Sequence, residues 1–545
     1  MYLLIILFFS ILGMKALLHP GLFTAHDIWH QVVRLYYYFQ GINDGQLPPY
    51  WIGQLANNFG YPLFFFSYHL PWLIGVPLLK LGLNIPDTIK IIFFLSYAIS
   101  GITMYFFVNS LLKNKTSALL TSILYLWLPY HFLTIFVSAS IGIAFVFAFL
   151  PLILLGIHLT KEESKLGIPI LAAGLSGIIL SHIMHLVFLL PVILFFLLWE
   201  ITQTGKKFHF LKDICLGLLL GTLISSFYLI PAAYYNQSTK IHQETGFYDL
   251  YKRNFININQ LLYSRWGYSP IVNNAKNGEI SFQLGIAQWI STAALLFLII
   301  LRKLSQKNLS LSFYILISFA ISIFLMLDFS AFIWKPLVRI VAVDFPFRFL
   351  LPATFIASVC AGIVLANANK GWQSFILISL TLVALYTNRN HLNVNQYTNF
   401  PISTYLELET EITTNTFNEY LPLQADTKLL GKPWNEVQGE KLSVSNLKRA
   451  TNLLSFDLNA AKETTASSGQ FYFPGQTLYL DNKVVDFSID KEGRISFKVP
   501  EGTHTVMIKY QETPLIKLSK SLTIIGIFLM IFLLFKASKF SKRKF

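Results

Sequence analysis

HPGLFTAHDIWHQVVRLYYYFQGINDGQLPPYWIGQLANNFGY runs from His19 to Tyr61, directly after an apolar segment, Met1 to Leu18. Asp27 begins a short helical pattern. At 3.6 residues per turn Asp27, His30, Gln31 and Arg34 fall on one face, with Ile28, Trp29, Val32 and Tyr36 on the other. That pattern predicts a helix lying flat at a membrane surface, apolar side down. Gly41 and the Asn43-Asp44-Gly45 turn stop it, and Pro48-Pro49 keep the chain extended. A carboxylate, an imidazole and a guanidinium would then point the same way beside the first membrane helix.

The 545-residue chain is 54% hydrophobic and only 13% charged, with a mean hydropathy of +0.55. These values describe a polytopic membrane protein. Cys215 and Cys360 both sit in apolar runs, which excludes a disulfide framework or a cysteine metal site. Met1–Leu18 has no basic leader and no small-residue cleavage site, and reads as a retained first span. The net charge of +15 reads as the lysine and arginine excess of short cytoplasmic loops, not as a nucleic-acid surface.

A span needs about 20 apolar residues. The later candidates are Ile89–Leu112, Ser117–Phe136, Ile141–Leu159, Leu166–Leu180, Ile183–Ile201, Leu211–Ala232, Gln283–Leu301, Ser310–Leu327, Phe345–Ala366, Trp372–Thr387 and Ser521–Phe535. Basic loops at Lys113–Lys115, Lys161–Lys165, Lys206–Lys212, Arg302–Lys307, Lys370 and the tail from Lys536 belong inside. Tyr61–Leu83 is apolar enough to cross, but one more crossing would turn every later basic loop outward. Broken by Pro62, Pro71 and Pro77, it reads as a re-entrant element on the outer side, shielded by protein. The expectation is about twelve transmembrane helices with both termini cytoplasmic.

Span interiors carry almost no ionisable residue, which argues against an ion-coupled transporter. The polar residues gather in the outer loops. Asn388–Leu518 holds more than half of the acids and reads as an external domain. Phe471–Phe473, Thr477–Leu480, Val484–Ile489, Arg494–Val499 and Thr503–Tyr510 alternate or cluster as strands between turns, predicting a small antiparallel β-sandwich. The predicted domains are therefore 1–387, 388–518, and 519–545 as a last helix with a basic tail. No Walker loop, dinucleotide glycine fingerprint or zinc spacing occurs.

An acidic residue on a juxtamembrane helix after the first span resembles the GT-C glycosyltransferase superfamily. More narrowly, the chain resembles the bacterial YfhO-like, or 6-pyruvoyl-tetrahydropterin synthase-related, membrane proteins. The matching pieces are Asp27-Ile28-Trp29-His30 with Arg34, Gly45-Gln46-Leu47-Pro48-Pro49-Tyr50-Trp51, and Gly60-Tyr61-Pro62-Leu63-Phe64. Further on come Ser181-His182, Asn259–Ser264 with Trp266-Gly267-Tyr268, Glu279–Gly285, Asp344–Leu350, Thr413-Thr414 and Asn418–Pro422. The pterin of that family name finds no support in these residues. Where the related proteins carry an arginine and a glutamate after Tyr130, this chain has Ser138 and Gly142. That departure puts a second carboxylate or phosphate clamp there in doubt.

The resemblance implies an inverting membrane glycosyltransferase with a polyprenyl-phosphate sugar as donor and an envelope glycan, lipid or protein as acceptor, on the outer face of a bacterial plasma membrane. Asp27 would be the general base and His30 its orienting neighbour. Arg34 and Arg348 would hold the donor phosphate. Trp51, Tyr61, His182, Trp266, Tyr268 and Glu279 would bind substrate. No cofactor is implied. A divalent metal is not favoured, because His26 and Ile28 flank Asp27 where a second acid is usual. For each residue a plainer reading exists. Asp27 could serve the helix dipole, Arg348 could pair with Asp344, and the aromatic residues could be interfacial anchors or core. Two other classes stay open at this point: a lipid or polysaccharide flippase or transporter, and a non-catalytic envelope scaffold worked by its β-domain.

Overall fold

The computed structural model describes residues 1–244, 246–341, 343–410 and 418–541. The Thr413-Thr414 pair lies outside the described residues. Apolar runs closed by Asn, Ser or Pro become helices. The first are α1 (Tyr2–Gly13), α2 (Ile28–Asn43), the short α3 (Leu63–Phe66), α4 (Leu70–Lys80) and α5 (Ile85–Leu112). Asn84 caps α5 by accepting the Asp87 N–H at 2.8 Å. Asn114 likewise accepts the Ser117 N–H at 3.0 Å, opening α6 (Lys115–Leu126). Then come α7 (Pro129–Phe132), α8 (Ile141–Lys161), α9 (Gly167–His182), α10 (His185–Gln203), α11 (Lys207–Ile224) and α12 (Ser226–Tyr235). The loop after α12 holds α13 (Phe247–Arg253) and α14 (Ile258–Leu262). The helical part closes with α15 (Ile286–Ile300), α16 (Gln306–Met326), α17 (Ala331–Ile340), α18 (Leu350–Ala366), α19 (Lys370–Thr387) and α20 (Ile402–Thr410). The chain's last helix is α21 (Pro514–Ser541).

Among the described residues, six helices are long and apolar enough to cross a membrane, or up to eight if each of two bent pairs is one span. The expected twelve are not reached. All twelve predicted runs contain helix, but α1, α9 and α15 have only 12, 16 and 15 residues. The bends also have local causes. Pro129 lacks an N–H and separates α6 from α7, with a 47° bend. The Ser225 hydroxyl donates to the Gly221 carbonyl at 3.0 Å, where α11 turns by 72° into α12. α4 has 11 residues, a length of about 16 Å, half the apolar thickness of a bilayer.

α8 and α18 form the centre and are buried along nearly their whole length. α8 lies tightly on α9, because Gly156 has no Cβ: one placed there would sit 2.4 Å from the Leu171 amide nitrogen. α2 departs from expectation. Its buried residues, including Gln31, Val33, Leu35 and Tyr37, go most of the way round. Trp29, expected to face lipid, packs on Tyr405 of α20 with ring centroids 4.4 Å apart. The helix is therefore covered by protein on both sides rather than floating on a surface.

Two short strands, β1 (Leu22–Phe23) and β2 (Tyr397–Thr398), pair antiparallel and tie the first loop to the segment after α19. The C-terminal sheets form a sandwich. Strands β3 (Val437–Gln438), β4 (Leu442–Ala450), β5 (Leu453–Ala460), β6 (Thr464–Phe471), β7 (Gln476–Leu480), β8 (Lys483–Val484), β9 (Ser488–Ile489), β10 (Arg494–Val499) and β11 (Gly502–Tyr510) build it. One sheet has the order β3-β6-β10-β9 and the other β4-β5-β11-β7-β8. Leu454, Phe456, Leu458, Ile495, Phe497 and Ile508 fill the space between them. The predicted strands do not include β3, β4, β5 or most of β6, whose outward positions are mostly Ser, Thr, Asn, Asp and Lys.

Candidate active site

Asp27 is the N-cap residue of α2, yet its side chain accepts no capping hydrogen bond. The plain capping role is therefore unfilled, and the carboxylate is half-buried. Its position is fixed by backbone contacts to the turn after α7. The His26 and Asp27 amides donate to the carbonyls of Val137 and Ser138, both at 3.0 Å. Leu133–Val137 is a π-helical turn, a feature concentrated at functional sites. Ala139, just beyond it, sits at φ +50°, a region costly for a residue with a Cβ. The Gln31 amide donates to the Ala139 carbonyl at 2.9 Å and helps hold that conformation. Gln31 is 1% exposed, so this member of the polar face points inward.

Tyr68 joins these groups. Its hydroxyl donates to Gln31 Oε1 at 3.0 Å. The Arg34 guanidinium and the Asp27 carboxylate both lie within electrostatic reach of that hydroxyl. Arg34 stands 5.9 Å from the centre of the Tyr68 ring. A cavity of about 170 Å³ opens here, lined by Arg34, Tyr68, His182, Tyr228 and Tyr420 among others. The His182 ring stacks on Tyr68 at 6.3 Å, and its Nδ1 is 3.0 Å from Nδ1 of His185. Gly142 borders Tyr68. A Cβ on it would meet the Ser181 carbonyl oxygen at 2.4 Å and the Tyr68 ring at 3.1 Å. A glutamate does not fit at Gly142 in this packing.

Arg348 does not line this cavity. It pairs with Asp344 at 2.6 Å and lies 4.7 Å from the centre of the Phe345 ring. Burial pushes the Asp344 carboxyl up, and Arg348 opposes that shift. His182 is within electrostatic reach of both Arg34 and Arg348. His30 lies on α2, half-buried, one turn from Asp27.

The other predicted residues are placed elsewhere. Trp51 is 1% exposed and stacks on Phe473 at 5.9 Å, so its ring is core between the first loop and the sandwich. Tyr61 is fully buried, and its hydroxyl accepts the Tyr420 N–H at 3.2 Å. It supports the cavity wall rather than lining it. Trp266, Tyr268 and Glu279 form a neighbouring cluster. Trp266 stacks on His391 at 4.2 Å, and the Tyr268 carbonyl accepts from His26 Nε2 at 3.0 Å. Buried Trp266 Nε1 and Glu279 Oε2 have no hydrogen-bond partner among the described residues. Among the described residues, no three His, Cys, Asp or Glu side chains converge to hold a metal ion.

Sequence reasoning missed Tyr68, Tyr228 and His185. It also missed the fully buried pair of His158 Nδ1 and Glu200 Oε1, 2.6 Å apart in the last turns of α8 and α10. His158 and Glu200 were visible as rare polar letters inside apolar runs. Tyr68 had no such signal among its aromatic neighbours.

No protein-family model matches the chain. An uncharacterized protein from Lactococcus lactis subsp. cremoris is 25% identical over 235 residues, 42% of this chain and 38% of that one. The arabinofuranosyltransferase AftD from Mycobacteria superposes with a TM-score of 0.49 at 10% identity, over 75% of this chain and 29% of its own. The archaeal oligosaccharyltransferase AglB from Archaeoglobus fulgidus superposes with a TM-score of 0.41 at 12% identity, over 78% of this chain and 61% of its own. The chain thus spans less than two thirds of each of these proteins. Neither superposition reaches a TM-score of 0.5, so no residue role is carried over from them.

Proposed function

We propose that this chain is a membrane glycosyltransferase that moves a sugar from a polyprenyl-phosphate donor to an envelope acceptor. The observation that supports it is the convergence of Asp27, Arg34 and Tyr68 beside the cavity that His182 lines. Asp27 takes the proton of the acceptor hydroxyl as that oxygen bonds to the anomeric carbon. The bond from the anomeric carbon to the phosphate oxygen breaks, and its electron pair leaves with the lipid phosphate. Attack opposite the leaving group inverts the anomeric centre. Arg34 meets the phosphate charge, and the Tyr68 hydroxyl joins it by turning its one proton from Gln31 to the phosphate, while Arg348, already paired, adds only its charge. His30 orients Asp27 or the acceptor. Residues 388–518 act as an external domain over this face, with both termini on the cytoplasmic side. The lysine distribution supports that orientation.

The test is single-turnover transfer from a radiolabelled polyprenyl-phosphate sugar. Asp27→Asn keeps size and shape but cannot accept a proton at neutral pH. The expected loss is about 100-fold or more, with donor binding intact. Near-normal transfer by a folded Asp27→Asn protein overturns the assignment.

A further inference from the structure

A second, larger cavity, of about 310 Å³, lies at the other end of the helical bundle. α8 runs between the two. Gly142 in its first turn touches the Tyr68 wall, and Lys161 at its end lines the second cavity. The 21 residues of α8 separate them by about 30 Å, a bilayer's apolar thickness. Three chain segments meet there. The turn after α8 brings Lys161, Glu163, Ser164 and Lys165; the start of α11 brings Lys206, His209 and Asp213; the end of α21 brings Lys536.

The charges do not cancel. Four lysines face two lining carboxylates and Glu162 beside them; Glu163 is engaged by Lys206 at 2.7 Å and Glu162 by Lys161 at 2.8 Å, which leaves Lys165 and Lys536 against Asp213. Desolvation and the nearby Lys536 charge pull the Lys165 ammonium below its ordinary value, as expected where like charges crowd. The first turn of α11, reached at Lys206 with no side-chain cap, adds the positive end of a helix dipole. Ser164 and Thr204 add hydroxyl groups. The apolar residues on the rim, Ile168, Phe210 and Leu533, belong to α9, α11 and α21.

We propose that this cavity binds a phosphate-bearing anion at the membrane border, in the way a basic pocket between membrane helices holds an anionic headgroup. Phosphate chemistry is shared by a phospholipid headgroup and by free phosphate, and the experiment separates them. It is independent of the Asp27 chemistry, since no residue is common to the two sites.

The full chain in detergent is titrated with phosphatidylglycerol, phosphatidylcholine and inorganic phosphate, and binding is read by native mass spectrometry. Phosphatidylglycerol is expected to bind in preference to phosphatidylcholine. Lys165→Gln with Lys206→Gln should weaken it by about 5-fold per lysine. Lys303→Gln with Lys307→Gln, in another basic loop, should leave it unchanged. Should the first pair fail to fold, Lys536→Gln, in the exposed last helix, carries the same expectation alone. Binding of inorganic phosphate with the same lysine dependence identifies free phosphate as the ligand. Equal binding of the two lipids without phosphate binding, or equal loss in both lysine pairs, overturns the proposal.

Discussion

Oδ2 of Asp44 accepts both the backbone N–H and the hydroxyl of Thr451, each at 2.7 Å. Thr451 is in the turn between β4 and β5, and Asp44 closes α2. A residue that reads in sequence as a turn former therefore clamps the first loop to the sandwich. Gln46 Nε2 donates to the same Thr451 hydroxyl at 3.0 Å, and the Gly53 amide donates to the Thr451 carbonyl at 2.7 Å.

Asp44→Ala should loosen this junction. Hydrogen bonds to a charged acceptor contribute roughly 1.5–3 kcal/mol each, so the loss is expected to show as faster proteolysis of the β4–β5 region in the full-length protein. Asp44→Asn keeps one acceptor oxygen and should fall between. Thr451→Val removes the hydroxyl only and should resemble Asp44→Asn. Cleavage rates equal to wild type in Asp44→Ala would mean the clamp is not needed. The sequence alone, which assigns Asp44 only a turn, predicts little effect from Asp44→Asn.

That misreading shows which parts of the chain were legible. Asp27 and Arg34 stood out because a 3.6-residue period aligns polar letters in an apolar setting. Asp44 did not, because its partner lies 407 residues away. Trp51 is expected from the resemblance to bind substrate, but a tryptophan equally fits a core: Gly60 is bare because the Trp51 ring would lie 2.0 Å from a Cβ there. The twelve-span count rests on apolar runs, whereas α1, α9 and α15 end after 12, 16 and 15 residues, and the breaks at Pro129 and Ser225 split two further spans, details that an apolar window averages away.

The Asp344–Arg348 pair makes a pH-dependent prediction. Burial raises the Asp344 carboxyl and Arg348 counters it. Removing Arg348 lets the folded value rise further above that of the unfolded chain. A raised carboxyl adds stability below the unfolded value, and that stability is lost as pH rises through the folded value. Arg348→Ala should therefore destabilise more at pH 8 than at pH 5. Asp344→Asn added to it should restore much of the loss. Melting curves of the three proteins across that range check this. A pH-independent loss would show that Asp344 is not the group responsible.

His391 gives the opposite slope. Burial lowers its pKa to about 4, and its Nε2 sits 3.0 Å from Gln283 Nε2, an arrangement for a neutral ring accepting from the amide. A lowered histidine contributes stability that is complete above about 6.5 and is lost as pH falls toward 4. Wild type should thus lose more melting temperature between pH 7 and pH 5 than His391→Gln. Equal slopes would show that the ring titrates normally.

Gly142→Ala tests the wall between Ser181 and Tyr68. Its Cβ meets a backbone carbonyl at 2.4 Å, which cannot swing aside as a side chain can. Transfer activity should fall and the melting temperature with it. Gly205→Ala, with nothing within 4 Å, should change neither. Normal activity in Gly142→Ala would mean that the Tyr68 wall can move without harm.

Tyr68→Phe separates the hydroxyl from the ring. The ring keeps its stacking on Trp72 at 5.7 Å and on His182, so the cavity persists. The lost bond to Gln31 costs about 1 kcal/mol of stability. If the hydroxyl only props Gln31, transfer should track that small loss, and its effect should add to that of Asp27→Asn. If the hydroxyl meets the leaving phosphate together with Arg34, transfer should drop by about 10-fold or more, beyond what that small stability loss explains. The Tyr68→Phe and Arg34→Lys changes should then be non-additive, because they act on one group. The double-mutant cycle measured on single-turnover rates decides between the two. Additive effects would return Tyr68 to a purely structural role and leave Arg34 as the phosphate's partner.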